Sequence, residues 1–193
     1  MALVNTTYRL DDLDPATLER YNLSGPRYPS YPTAPSWSDS INAADFHAHL
    51  PTHCKDRRDA PLSLYMHLPF CETHCTFCGC NVIITPRREQ VSEPYLQDLM
   101  RELELYSGVI GRDRNVVQHH WGGGTPTYLE PDQLVRLHEK AQAQFRLEPD
   151  LEQSIEIHVN WTRDEHLHAL AELGFNRLSM GVQDFNPKTQ EAI

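Results

Sequence analysis

No apolar run in this sequence approaches the ~18 to 20 residues that span a bilayer. The N-terminal stretch MALVNTTYRLDDLDP also lacks a basic segment followed by an apolar one, so neither a membrane protein nor an exported one is expected. Positive charge is short too. Against 27 Asp and Glu there are 17 Lys and Arg, a formal net charge of −10, and no basic block is longer than Arg87 and Arg88. The electrostatic footprint of a nucleic-acid binder is therefore missing, and a small-molecule partner is expected instead. Cysteine is scarce outside one place: of five, Cys71, Cys75, Cys78 and Cys80 crowd a single loop and Cys54 lies apart. An odd count so distributed opposes a disulfide framework and favours metal binding or redox chemistry in a reducing cytoplasm. What is present is ordinary globular composition, 39% hydrophobic and 23% charged over 193 residues. At about 150 residues per domain, that is one domain or slightly more.

Two regions are expected, an irregular N-terminal arm over 1–60 and a regular region over 61–193. In the arm, Asp14 before Pro15 reads as an N-cap with proline at the first helical position, opening one of two short helices. The stretch SGPRYPSYPTAPSW should be extended and turn-rich, either a linker or, given its tyrosines, Trp37 and Arg27, a segment docked on something. From Leu62 the pattern becomes periodic. Leu62 to Leu68 predicts a strand, and Ser92, Glu93 and Pro94 open a helix with Leu96, Leu99 and Leu103 at helical spacing. Val116 to Trp121 predicts a second strand, followed by a helix from about Pro131 to Phe145. Ser154 to Val159 predicts a third, whose helix opens with Thr162 and Glu165 in capping-box spacing and closes at Gly174. Arg177 to Val182 is the fourth, and Asn186 and Pro187 begin one more helix. Four strand-then-helix units predict an α/β fold with parallel strands wound right-handed. Four such units leave an edge exposed, which suggests the first part of a longer barrel, truncated here.

In parallel α/β folds, ligand sites gather at the carboxyl ends of the strands. The unusual residues all fall there: the cysteine loop after the first strand, Gly122 to Pro126 after the second, Glu156, His158 and Asn160 at the third, Gln183 and Asp184 at the fourth. The spacing Cys-x3-Cys-x2-Cys puts three soft thiolate ligands on one tight loop, suited to an iron–sulfur cluster or to zinc. Zinc would want a fourth ligand, for which Cys80, His74 or His67 are available, and zinc loops usually carry a second Cys-x2-Cys knuckle, which is absent here. Triple glycine at a strand end lets backbone approach a ligand closely, so Gly123 and Gly124 should tolerate no side chain. Tyr65, six residues before Cys71 on the first strand, is either a buried strand tyrosine or an aromatic face offered to a cation. His47, His49, His53, His138, His166 and His168 are assigned no role, and one of His119 and His120 should point inward.

Cys71, Cys75 and Cys78, with Phe77 before the last of them, match the CxxxCxxC signature, and the chain resembles the radical S-adenosylmethionine superfamily. More narrowly it is similar to the N-terminal portion of the oxygen-independent coproporphyrinogen III oxidases. The segments that carry this are YNLSGPRYPSYPTA, LYMHLPFCETHCTFCGCN, HWGGGTPTYL, SIEI and GFNRLSMGVQDFN. The resemblance implies a partial radical SAM (β/α) barrel preceded by the arm, with Cys71, Cys75 and Cys78 ligating a [4Fe-4S] cluster. It implies that Tyr65, Phe77, Gly123 and Glu156 serve the cluster-bound S-adenosylmethionine, and that Gly124, Thr125 and Gln183 serve a second molecule. The implied reaction converts two propionates of coproporphyrinogen III to vinyl groups in haem biosynthesis, by a 5′-deoxyadenosyl radical, in a cytoplasmic monomer supplied by an electron donor. Arg27 is then a candidate for the substrate carboxylates. Cys80 is either small core filling or a relay beside the substrate. The family usually has an acidic residue followed by proline after the third strand, where this chain has His158 and Val159. A haem chaperone with the same cluster loop is the second reading, opposed by the arm and by Cys80, where such proteins usually have an aromatic.

Overall fold

The computed structural model describes residues 14–22, 33 and 36–192; Arg27 and most of the proline-rich stretch lie outside the described residues. The chain divides into two units, Met1–Ala43 and Ala44–Ile193. In the first, α1 (Pro15–Tyr21) begins as its sequence predicts. Asp14 Oδ1 accepts the Thr17 N–H at 3.0 Å, and Pro15 occupies a position whose N–H would be orphaned anyway. α2 (Ala43–Asp56) has 14 residues, longer than the short helix expected.

Onward from there, in chain order, come β1 (Leu62–Leu68), the two-residue strands β2 (Phe70–Cys71) and β3 (Ile83–Ile84), and α3 (Arg88–Ile110). These are followed by β4 (Asn115–Gly123), a 3₁₀ turn (Pro126–Tyr128), α4 (Pro131–Gln144), β5 (Arg146–Ile157), α5 (Asp164–Glu172), β6 (Arg177–Met180) and α6 (Pro187–Ala192). β1, β4, β5 and β6 form one parallel sheet in that order, each strand paired with the next unit's strand. Side chains alternate across it. Met66, Leu68, Trp121, Leu151 and Ile155 point to one face and share a core with Leu96 and Leu103 of α3, Leu134, Leu137 and Ala141 of α4, and Leu170 of α5. Truncating one of these leucines to alanine costs about 2 to 5 kcal/mol. The residues between them, Tyr65, His120, Ser154 and Glu156, line the opposite, open face. A parallel sheet is ordinarily apolar on both faces, so a polar open face marks the side on which chemistry is placed.

Several boundaries differ from the periodicity. α3 starts at Arg88 rather than Ser92, leaving Pro94 inside the helix. Tertiary ion pairs of Arg88 with Glu72 and Glu130 hold the extra turn, which outweighs the one backbone bond proline forgoes. β5 begins at Arg146, eight residues before the strand expected at Ser154. Its register slips between Leu147, opposite Val116, and Glu152, opposite Gln118, so Pro149 falls where no ladder donor is needed. β4 runs two residues past Trp121 to Gly123, and β6 stops at Met180, two short of Val182. At α5 the capping pair is not Thr162 and Glu165: the Arg163 N–H donates to His166 Nδ1 at 3.2 Å, while the Thr162 hydroxyl donates to the His158 carbonyl at 2.9 Å. The exit at Gly174, φ 83°, is as expected.

The core also holds polar groups with fixed partners. Trp121 Nε1–H donates to His119 Nε2 at 2.7 Å, so the His119 proton sits on Nδ1 and faces Gln153 Oε1 at 3.3 Å. His138 Nε2 reaches the same oxygen at 2.8 Å, and the Gln153 amide donates to the Leu173 carbonyl. Burial drives His119 down to about 4. Of the histidine pair, His119 thus faces the helices and His120 the open face.

Candidate functional site

The cysteine loop leaves the sheet at Cys71 and returns at Ile83. β2 and β3 close it: the Ile83 N–H donates to the Pro69 carbonyl at 2.7 Å and the Thr85 N–H to the Cys71 carbonyl at 3.0 Å. These two-residue strands are too short for any periodicity to show. Inside the loop, a turn with the Cys78 N–H on the Cys75 carbonyl, 3.1 Å, draws those two residues together. Burial raises the Cys71 thiol pKa; Thr125 lowers it by a hydrogen bond, while Cys78 and Cys75 raise it further, so the three sulfurs feel one another. Among the described residues, no three His, Cys, Asp or Glu side chains stand in a ready-made coordination group. Cys71 Sγ lies 3.4 Å from Thr125 Oγ1, and Cys75 Sγ 3.8 Å from His158 Nε2. Cys54 sits on α2, outside the loop.

Arg88 fastens the loop to the helical layer. Its guanidinium pairs with Glu72, next to Cys71, and with Glu130 at 2.6 Å, and lies 5.1 Å above the Tyr128 ring. Tyr128 donates to the Thr85 carbonyl at 2.9 Å, at the loop's far end. Sequence reading missed this clamp, because Arg88, Glu72 and Glu130 share no local pattern.

The glycine turn meets the loop through backbone. Gly124 N–H donates to the Leu68 carbonyl and Thr125 N–H to the Phe70 carbonyl, both at 2.9 Å. A Cβ on Gly124 would stand 2.7 Å from the Pro69 and Phe70 carbonyl oxygens, and one on Gly123, φ 120°, would stand 2.7 Å from the His67 ring. The chain itself therefore demands glycine at both places before any ligand arrives.

On the open face, Glu156 Oε2 accepts the Gly123 N–H at 3.0 Å, and Oε1 lies 3.7 Å from His120 Nε2. Ser154 holds the other His120 nitrogen at 2.7 Å. Tyr65 stacks on His120 with centroids 5.7 Å apart, and its hydroxyl meets His67 Nδ1 at 2.9 Å. Tyr65 is 57% exposed, which removes the reading as a buried strand tyrosine. The positions of Tyr65 and His67, two apart on β1, were the signal that they share a face. Tyr65, His120, Ser154 and Glu156 border a cleft of about 430 Å³. A second, of about 390 Å³, brings together Cys75, Phe77, His158 and Gln183. Gln183 takes a positive φ of 65°, and Cys80 is exposed, so it is not core filling. Partial burial and a hydrogen bond with Cys78 push the Cys80 thiol pKa up, with Glu156 and Cys71 adding to it.

The donor set fits an iron–sulfur cluster with one iron left open: three soft sulfurs on one loop, with a hydroxyl and an imidazole beside two of them. Of the three candidate fourth ligands for zinc, His67 has both ring nitrogens engaged, by Tyr65 at 2.9 Å and by the Asn81 carbonyl at 3.3 Å, which leaves Cys80 and His74.

The sequence model of the Radical SAM superfamily matches residues 65–193, and the chain belongs to that superfamily, whose members use a [4Fe-4S] cluster and S-adenosylmethionine. Within it the chain falls in the family of oxygen-independent coproporphyrinogen III oxidases. It is 38% identical to the one from Synechocystis over 190 residues, 98% of this chain and 40% of that protein. It is 45% identical to the one from Mannheimia haemolytica over 147 residues, 75% of this chain and 94% of that sequence. The solved structure of coproporphyrinogen III oxidase (HemN) from Escherichia coli, titled a radical SAM enzyme, superposes with a TM-score of 0.78 at 40% identity, covering 93% of this chain and 38% of that one. The chain thus spans about two fifths of the length of the Synechocystis and Escherichia coli proteins.

Proposed function

We propose that this chain supplies the cluster- and cofactor-binding part of an oxygen-independent coproporphyrinogen III oxidase, which oxidatively decarboxylates two propionates of coproporphyrinogen III to vinyl groups. The observation that carries it is the meeting of the cysteine loop, the Gly122–Thr125 turn and Glu156 at the carboxyl ends of adjacent parallel strands. When bound, the cluster and S-adenosylmethionine supply the 5′-deoxyadenosyl radical that begins such chemistry.

Cys71, Cys75 and Cys78 would hold the cluster, with Thr125 and His158 beside its sulfurs. Glu156 is fixed by the Gly123 N–H and His120, leaving its remaining acceptor capacity toward the cleft, where an ammonium or ribose hydroxyl can be bound. Tyr65 offers its ring on the same face, which suits a sulfonium. Phe77, Gly124, Thr125 and Gln183 complete the cofactor contacts, the last three for a second molecule. Cys80, exposed at the end of the cysteine loop, would serve as a hydrogen or electron relay. An external electron donor, a cytoplasmic setting and a monomeric state belong to the same reading. No helix among the described residues is long and apolar enough to cross a membrane.

The test is anaerobic incubation of a full-length protein containing this chain with reductant, S-adenosylmethionine and coproporphyrinogen III, reading 5′-deoxyadenosine and vinyl products by mass spectrometry. Both products support the reading. Tight haem binding without cofactor cleavage would favour the haem chaperone, and cofactor cleavage without vinyl formation would remove the substrate assignment.

A further inference from the structure

The surroundings of His158 give its ring a defined proton. The Asn160 backbone N–H donates to Nδ1 at 3.3 Å, which makes Nδ1 the acceptor and leaves the ring proton on Nε2. Nε2 faces Cys75 Sγ at 3.8 Å, within reach of an N–H···S hydrogen bond. The backbone that carries the ring is held in place. The His158 carbonyl accepts the backbone N–H groups of Trp161 and Thr162, both at 3.0 Å, and the Thr162 hydroxyl, so a tight turn locks the backbone that carries it. Thr162 is tied in turn to Thr127, at 2.8 Å, in the turn after the glycines. A carboxylate at 158 would present oxygen lone pairs to the same sulfur, and would repel it.

We propose that His158 is a positioning residue that donates a hydrogen bond from Nε2 to the Cys75 sulfur and so raises the reduction potential of the bound cluster. The physical ground is general. Hydrogen bonds to cluster sulfurs stabilise the reduced state, in which the thiolates carry more negative charge, and second-layer donors are among the main levers on potential. The inference rests on the reading of Cys71, Cys75 and Cys78 as cluster ligands.

The experiment is anaerobic reconstitution of the chain and of its His158→Ala and His158→Gln variants, with iron analysis and a spectroelectrochemical midpoint for each. The expected result is equal iron in all three, a more negative midpoint in His158→Ala, and return toward wild type in His158→Gln, whose amide restores a donor. Raising deuterium content should shift the Fe–S stretching bands more in the wild type than in His158→Ala, in which the Thr125 hydroxyl on Cys71 remains. Equal midpoints in wild type and His158→Ala at full iron would overturn the proposal, as would loss of iron in both variants, which would make His158 a ligand or a structural brace. Failure of the wild type to take up a cluster would instead overturn the assignment of the three cysteines.

Discussion

Lowering the pH from 7.5 to 5 should destabilise the fold through one buried side chain, His119. Its Nε2 accepts the Trp121 indole N–H at 2.7 Å, so a second proton would set two donors against each other in a site with no exposure. Burial, helped by the neighbouring His138 and His120 and opposed by the Gln153 hydrogen bond, holds its pKa at about 4, against an ordinary 6.5. A histidine depressed in the folded state binds protons more readily when unfolded, so its contribution is fully present above pH 6.5 and is lost as pH falls toward 4. At pH 5 the loss works out to about 2 kcal/mol, rising to roughly 3 below pH 4. Burial pushes the His138 and His166 pKa values down as well, so the His119 share is read as a difference. Urea unfolding of the metal-free chain at both pH values, beside His119→Gln, isolates it. The wild-type midpoint should fall by about 1 M more than the variant's, taking a urea slope of about 2 kcal/mol/M. Parallel losses in the two proteins would refute the reasoning.

Three other outcomes are expected. Gly124→Ala should weaken the packing of the turn against the Pro69 and Phe70 carbonyls by about 1 to 3 kcal/mol and impair cluster retention, measured as iron per chain; normal iron would show that the turn yields. Arg88→Ala, by releasing Glu72 and Glu130 from a largely buried guanidinium, should cost about 2 kcal/mol and speed iron loss to a chelator, while unchanged loss rates would remove the clamp. In a full-length protein, Cys80→Ser should keep the cluster and cofactor cleavage but lose vinyl formation; a wild-type product yield would leave Cys80 without a role in the reaction.

Sequence showed the scaffold because each unit carries its own period: Leu62–Leu68 is the strand its alternation predicts, and Leu134, Leu137 and Ala141 all reach the core. It failed where tertiary contact outweighs local preference. Pro94 read as part of the opening of α3 and the third strand as starting only at Ser154, yet an ion-pair clamp holds the helix from Arg88 and a register slip lets β5 run through Pro149. The candidate site was legible as motif, since Cys-x3-Cys-x2-Cys and the glycine run are contiguous. Contacts between loops were not. The approach of His158 to Cys75 and of Gly123 to Glu156 joins residues 83 and 33 positions apart, which no spacing rule encodes.

The most direct measurement of the central claim is the electron paramagnetic resonance spectrum of the anaerobically reconstituted, reduced chain, recorded with and without S-adenosylmethionine, beside Cys75→Ala and Cys54→Ala. Wild type and Cys54→Ala should show a [4Fe-4S] signal that changes when the cofactor binds the open iron, and Cys75→Ala should show none. A full cluster signal in Cys75→Ala, or a wild-type signal indifferent to the cofactor, would contradict it.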